Sequence, residues 1–253
     1  MDEPETSDPG SCIIWWNVTT YYSCSGGTCT YLGETWDYLY TDCSGSGDPC
    51  GGQCTCGAEC WQGECGPPTI ECSPIIIAVA QSSNYQLTSP AGGVDFDLNG
   101  DGIKERMAWT LPSDPVAFLV LDRNGNGTID DGTELFGNHS VVPSGQAVTN
   151  GFEALAWYDQ NNGNGDGVID SRDAIWPFLR LWIDWNHDGV TQSGELYPLE
   201  QWQLSSISLQ FQTINRQDGY GNMYRLKAPC KVGQQTRFGY DVYFTMKPQK
   251  RPN

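Results

Sequence analysis

Between residues 184 and 195 the chain reads DWNHDGVTQSGE. Asp184, Asn186, Asp188, Gln192 and Glu195 fall at near-alternate places, and no Lys or Arg lies among them to offset the charge. Oxygen donors at that spacing suit the coordination of a hard divalent cation. Ca²⁺ takes six to eight oxygens at about 2.3 to 2.6 Å, and a short loop supplies them from positions 1, 3, 5, 7, 9 and 12 provided a glycine at 6 makes the turn. Here those roles fall to Asp184, Asn186, Asp188, the Val190 carbonyl, Gln192 and Glu195, with Gly189 at the turn. Mg²⁺ is disfavoured, because it sheds water reluctantly and rarely uses an all-protein cage.

Three variants of the pattern precede it. FDLNGDGIKE offers Asp97, Asn99, Asp101, the Ile103 carbonyl and Glu105 in a shorter turn, with Asp95 as an additional donor. DRNGNGTIDDGTE offers Asp122, Asn124, Asn126, the Thr128 carbonyl and Asp130; its closing Glu134 sits one residue late, so that Asp131 or a water is a substitute. NGNGDGVIDSRD offers Asn162, Asn164, Asp166, the Val168 carbonyl, Asp170 and Asp173, and Asp159 replaces Asn162 as first ligand if the intervening residues bulge out. Asn, Asp and Gly are ordinary turn formers. Turn chemistry does not, however, require four such loops holding about half of the chain's 31 acidic residues. The expectation is Ca²⁺ at two to four of them.

Other chemistry finds little support. His139 and His187 are the only histidines, each beside an acidic loop, and read as surface or supporting residues. No nucleophile elbow, phosphate loop or paired-histidine zinc helix occurs. Glu153, Glu200 and Asp241 are the carboxylates from which a glycosidase pair would have to be drawn. The chain is read as no enzyme, with no catalytic residue assigned. Sequons stand at Asn17, Asn126 and Asn138.

The elements that must carry these loops follow from composition. The net charge of −18 excludes an unassisted nucleic-acid surface, and no apolar run reaches the length of a membrane span. Of 11 cysteines, all but Cys230 lie between Cys12 and Cys72, which argues for a disulfide framework in an oxidising, extracytoplasmic compartment rather than for zinc. The odd count leaves a thiol free or bonded to another chain. Three regions result: a flexible tail at 1–11, a disulfide-rich module at 12–73 and a calcium-binding domain at 74–253. In the first module CIIWWNVTTYYSC has strong strand character and needs a sheet edge, either on the C-terminal meander or on a neighbouring subunit. In the domain, PIIIAVA, NYQLT and AFLVLD read as strands and NGFEALAWYD as a helix. RDAIWPFLRLWID and SGELYPLEQW read as further short helices, and ISLQFQTIN, MYRLKAP and YDVYFTM as a meander turning at DGYGN. The fold class expected is α+β, an antiparallel β core with short helices and EF-hand-like loops.

In order and spacing, the four loops and SISLQFQ resemble the EF-hand-like calcium modules of secreted bacterial proteins, including haemolysin-type ones, over about residues 74–245; CGGQCTCG is faintly similar to EGF-like modules. The resemblance implies extracellular calcium binding and no established catalytic activity. Together these readings describe a secreted, calcium-stabilised structural or cell-surface protein, with self-assembly into a fibre through the N-terminal segment as one extension and calcium-dependent binding of a protein or glycan as the alternative.

Overall fold

The structure is a computed structural model that describes residues 13–25, 28–42, 60–61, 64–65, 72–80, 84–112 and 114–247. The expected tail and the cysteine pairing of the N-terminal module lie outside the described residues. The chain divides into two units, one of residues 1–54, 58–67 and 250–253, the other of residues 55–57 and 68–249.

In the first unit the β-branched and aromatic run forms β1 (Ile13–Ser25), which pairs antiparallel with β2 (Thr28–Asp42) from Ile13↔Asp42 to Ser25↔Thr28. The strand expected to seek the C-terminal meander or another subunit thus has its partner immediately downstream. A second, minimal pair joins β3 (Cys60–Trp61) to β4 (Glu64–Cys65).

The second unit is built on β5 (Ile75–Ala78), β8 (Val116–Val120), β9 (Val168–Asp170), β10 (Arg180–Trp182), β11 (Leu196–Pro198), β12 (Leu204–Ser208), β13 (Gln212–Gln217), β14 (Met223–Val232) and β15 (Gln235–Tyr243). They form one sheet in the order β11-β10-β8-β5-β15-β14-β12-β9, with β13 also on β14, and every pairing is antiparallel. Two adjacent interior strands, IIIA and VAFLV, are buried at every residue. An antiparallel strand normally alternates, so a continuous apolar run means that both faces are covered. Ile75, Ile77, Ala117 and Leu119 pack with Phe152, Leu155 and Tyr158 of the single α-helix, α1 (Gly151–Asn162). Ile76, Phe118 and Val120 face the other way, onto Phe96 and Met107 of a small hairpin, β6 (Val94–Phe96) with β7 (Glu105–Met107), and onto Trp109 and Trp182.

This corrects the expected fold class. The second unit is an antiparallel sheet with one α-helix among the described residues, and no acidic loop lies between two helices as in an EF-hand. RDAIWPFLRLWID forms a one-turn 3₁₀ helix at Trp176–Phe178 and then β10; SGELYPLEQW forms β11 and a 3₁₀ turn at Leu199–Trp202. Pro177 and Pro198 explain the failure of helix there. A proline is tolerated only in a helix's first turn, whereas the flanking residues gain ladder hydrogen bonds by pairing Arg180–Trp182 with β8. NYQLT contributes only a bridge, Leu87 to Thr110. The cysteine outside the N-terminal cluster, Cys230, is a free and buried thiol, which burial pushes up to about 12 in pKa.

Candidate metal centres

The four acidic turns share one lattice of hydrogen bonds. In the turn between β6 and β7 the Asp97 carboxylate accepts N–H groups from Gly100 (2.7 Å), Asp101 (3.1 Å) and Gly102 (2.8 Å), Asn99 Oδ1 accepts that of Asp101, and Asp101 Oδ1 that of Ile103. After β8, Asp122 accepts from Gly125, Asn126 and Gly127, Asn124 from Asn126, and Asn126 from Thr128. Between β10 and β11, Asp184 accepts from His187, Asp188 and Gly189, and Asp188 from Val190. The glycines at the sixth place, Gly102, Gly127, Gly167 and Gly189, all have φ between 71° and 86°, conformations an L side chain rarely adopts. At the fourth place Gly100, Gly125 and Gly165 also have positive φ; in the last turn His187 takes that conformation, φ 58°.

In the third turn the lattice starts from the helix. Asp159, in the last turn of α1, accepts Gly165 and Gly167 N–H, both at 3.0 Å, and so fills the place that Asp97, Asp122 and Asp184 fill elsewhere. Asn164 Oδ1 and Asp166 Oδ1 continue the lattice to Asp166 N–H and Val168 N–H. Asn162 stays exposed at the helix end, its carbonyl accepting Ala174 N–H.

The closing residues also repeat. Glu195 spans the mouth of its turn by accepting Trp185 N–H and Gln192 N–H, each at 3.0 Å. Glu134, one residue further along its loop, makes the same two bonds to Arg123 and Asp130. The extra residue is taken up by a 3₁₀ turn at Gly132–Glu134 whose Thr133 N–H is capped by Asp131, so Asp131 is a cap and Glu134 spans the mouth of the turn. Asp173 closes the third turn through Asp170 N–H and Asn164 N–H. Glu105 is buried at the base of the first. Asp95 stands apart: exposed, it pairs across the hairpin with Arg106 at 3.7 Å.

Burial and charge are arranged with purpose-like regularity. Asp97, Asp159, Asp184, Glu134, Asp173 and Glu195 are buried, whereas Asp101, Asn124, Asn126, Asn164, Asp166, Asn186 and Asp188 stand at the surface. Of the buried six, none forms an ion pair with a described residue. Two carboxylates about 5 Å apart repel by about 3 kcal/mol at an effective dielectric of about 20. Amide donors offset part of this: Asn124 and Asn126 hold the Asp130 carboxyl below its usual range, and Asn186 and Gln192 donate to Asp188 at 2.9 and 2.7 Å. Glu134 goes the other way, its pKa raised by burial. The third turn recruits a cation of the chain, Arg172, at 2.6 Å from Asp166 and 2.7 Å from Asp170.

Neighbouring residues tie the turns to the core and to each other, and most gave no local signal in the sequence. Trp109, fully buried, donates its indole N–H to Asp184 at 2.8 Å from 75 residues away. Thr191 Oγ1 accepts Ile129 N–H at 3.0 Å and joins the second turn to the fourth. Gly132 N–H donates to the Asp97 carbonyl at 2.7 Å, joining the second to the first; a Cβ on Gly132 would stand 1.8 Å from the Leu98 carbonyl oxygen. Arg172, by contrast, was visible as the basic residue inside DSRD. Among the described residues no three His, Cys, Asp or Glu side chains converge as they stand on a single metal position. The candidate donor set is instead mixed, three or four carboxylates per turn alongside carboxamide and carbonyl oxygens.

The carboxylates available for a glycosidase pair are engaged separately: Glu153 with Thr149, Glu200 with the Trp176 indole, and Asp241, wholly buried, with Gly151 N–H.

Comparison with known proteins gives a family profile, the SPM domain, over residues 81–245. It is not an EF-hand-like or haemolysin-type calcium module, which corrects the resemblance that the loop motifs suggested: spacing within a loop is reproduced wherever a chain needs the same turn, and does not carry the fold around it. A curated relative, the iron-regulated protein FrpA of Neisseria meningitidis serogroup C, is 39% identical over 130 residues. The match covers 51% of this chain and 11% of that relative, so the chain corresponds to a small part of a much longer protein.

Proposed function

The chain belongs to the SPM domain family, and from that premise we propose that its four acidic turns bind Ca²⁺ and that the ions brace the domain in a secreted or cell-surface protein. The observation that carries the reading is the repeated lattice, in which the third and fourth turns each have a buried first carboxylate and a buried closing carboxylate, and the second a half-buried Asp122 with a buried Glu134, with no ion pair to those groups among the described residues. In the fourth turn Asp184, Asn186, Asp188, the Val190 carbonyl, Gln192 and Glu195 would hold the ion; in the second, Asp122, Asn124, Asn126, the Thr128 carbonyl, Asp130 and Glu134; in the third, Asp159, Asn164, Asp166, the Val168 carbonyl, Asp170 and Asp173; in the first, Asp97, Asn99, Asp101, the Ile103 carbonyl and Glu105. These are hard oxygen donors with no sulfur among them, which suits calcium better than a transition metal. The secreted setting is supported by the cysteine density before residue 73 and by the absence of Lys and Arg before Lys104.

The test is calorimetric titration of the metal-stripped chain with Ca²⁺. Two to four ions are expected, with Asp159→Ala removing one site and Asn162→Ala leaving the stoichiometry unchanged. No saturable binding at millimolar Ca²⁺, or equal losses in the two variants, contradicts the proposal.

A further inference from the structure

Away from the acidic turns, the described part of the second unit contains a cavity of about 520 Å³ between two tight turns at the sheet's edge, a size within the usual range for small-ligand sites. One turn carries Gln201, Trp202 and Gln203 after β11; the other, between β14 and β15, carries Gln234 and Gln235, and Arg237 completes the wall. The two turns are locked together: Gly233 N–H donates to the Gln203 carbonyl at 2.8 Å, and Gln203 is held at φ 57°. Trp202 is propped from behind by Tyr197, edge to face at 5.9 Å, and by Trp185 at 6.3 Å.

The lining is unlike the rest of the molecule. In a chain of 31 acidic residues, the cavity holds no carboxylate and four carboxamides. Trp202 Nε1 and Arg237 Nε are buried donors without a hydrogen-bond acceptor among the described residues. The other guanidinium nitrogens of Arg237 are consumed inside the protein, by the carbonyls of Ala78 and Ala80 and by Gln235 Oε1. We propose that this cavity is a binding site for a neutral saccharide. Each hydroxyl of a sugar ring both donates and accepts, as each carboxamide does, and the ring's apolar face suits an indole. A polyanion is disfavoured, since Arg237 has its outer donors occupied and the net charge of −18 repels it. The site does not depend on the calcium reading, although Trp185 belongs to the fourth turn, so Ca²⁺ is kept in the buffer.

The experiment is a tryptophan-fluorescence and calorimetric titration of the whole chain with short neutral gluco-, galacto-, manno- and N-acetylglucosamine oligosaccharides, with polygalacturonate as the acidic arm. Saturable binding to at least one neutral oligosaccharide is expected, weakened about tenfold or more by Trp202→Ala and by Gln234→Ala. Gln234 is exposed, so its variant keeps the test decisive if Trp202→Ala fails to fold. Absence of neutral-saccharide binding at millimolar concentration by natively folded protein, binding to polygalacturonate alone, or neutral binding that Gln234→Ala leaves within twofold overturns the proposal.

Discussion

Asp241 shows what a carboxylate costs when neither an ion nor a basic side chain answers it. It is wholly buried and accepts Gly151 N–H at 2.8 Å, yet burial raises its pKa to about 6. In the unfolded chain the same group titrates near about 3.9. A folded-state pKa above the unfolded one means that the stability this carboxyl contributes is complete below about pH 4 and is lost as pH rises to about 6, the window in which only the unfolded chain gives up its proton. Asp241→Asn keeps an acceptor for Gly151 and removes the charge. It is therefore expected to be at least as stable as the parent at pH 7, with the gap between the two closing as pH falls from about 6 to 4 in parallel melts; a variant less stable at pH 7 than at pH 4, relative to the parent, contradicts this. Arg172 makes the opposite point. By bridging Asp166 and Asp170 it occupies the charge that an incoming ion needs. Exposed ion pairs are weak and readily displaced, so Arg172→Gln is expected to tighten the third site a few fold in calorimetry. An unchanged or weakened third site would show that the arginine does not compete.

The elements decide which turns act together. Ile129 and Thr191 occupy the same place, one residue past the seventh, in the second and fourth turns, and the Thr191 hydroxyl links them. Losing such a buried bond costs about 1 kcal/mol. Thr191→Val keeps the shape, and is expected to weaken the second ion of that pair about fivefold while leaving the third site alone. Equal effects on all sites, measured by the same titration, would point to a general loss of stability. This coupling is also where the sequence stops being legible. The glycines and Asx residues of each turn act on N–H groups within five residues, apart from the third, so composition and spacing reveal them. The same locality exposed β5, β8, α1 and the β14–β15 meander. The helix read from RDAIWPFLRLWID failed because pairing with β8, some 60 residues distant, outweighed a local apolar period, and that read from SGELYPLEQW because its first half pairs with β10. Trp109 reaching Asp184 and Thr191 reaching Ile129 are tertiary events of the same kind, with no trace in either segment.

Across the whole molecule, the acidic turns are inserted at the ends of the strands that carry the core, so their repulsion loads the sheet itself. Asp184 follows Trp182 of β10 by two residues, and Asp122 follows Val120 of β8 by two, and both strands contribute fully buried side chains to one apolar cluster. Each ion bound would offset two of the net 18 negative charges and stabilise the folded chain by about 2.7 kcal/mol at a concentration a hundredfold above its dissociation constant. With two or more sites and a chain of this size, that amounts to a rise in melting temperature of about 10 °C or more. The most direct measurement is therefore a pair of thermal melts of the chain, stripped of metal and then saturated with Ca²⁺, with metal content verified in both. The expected result is an increase of about 10 °C or more that excess chelator reverses; the same melting temperature in the two samples, with the stripped one confirmed metal-free, would contradict the calcium reading.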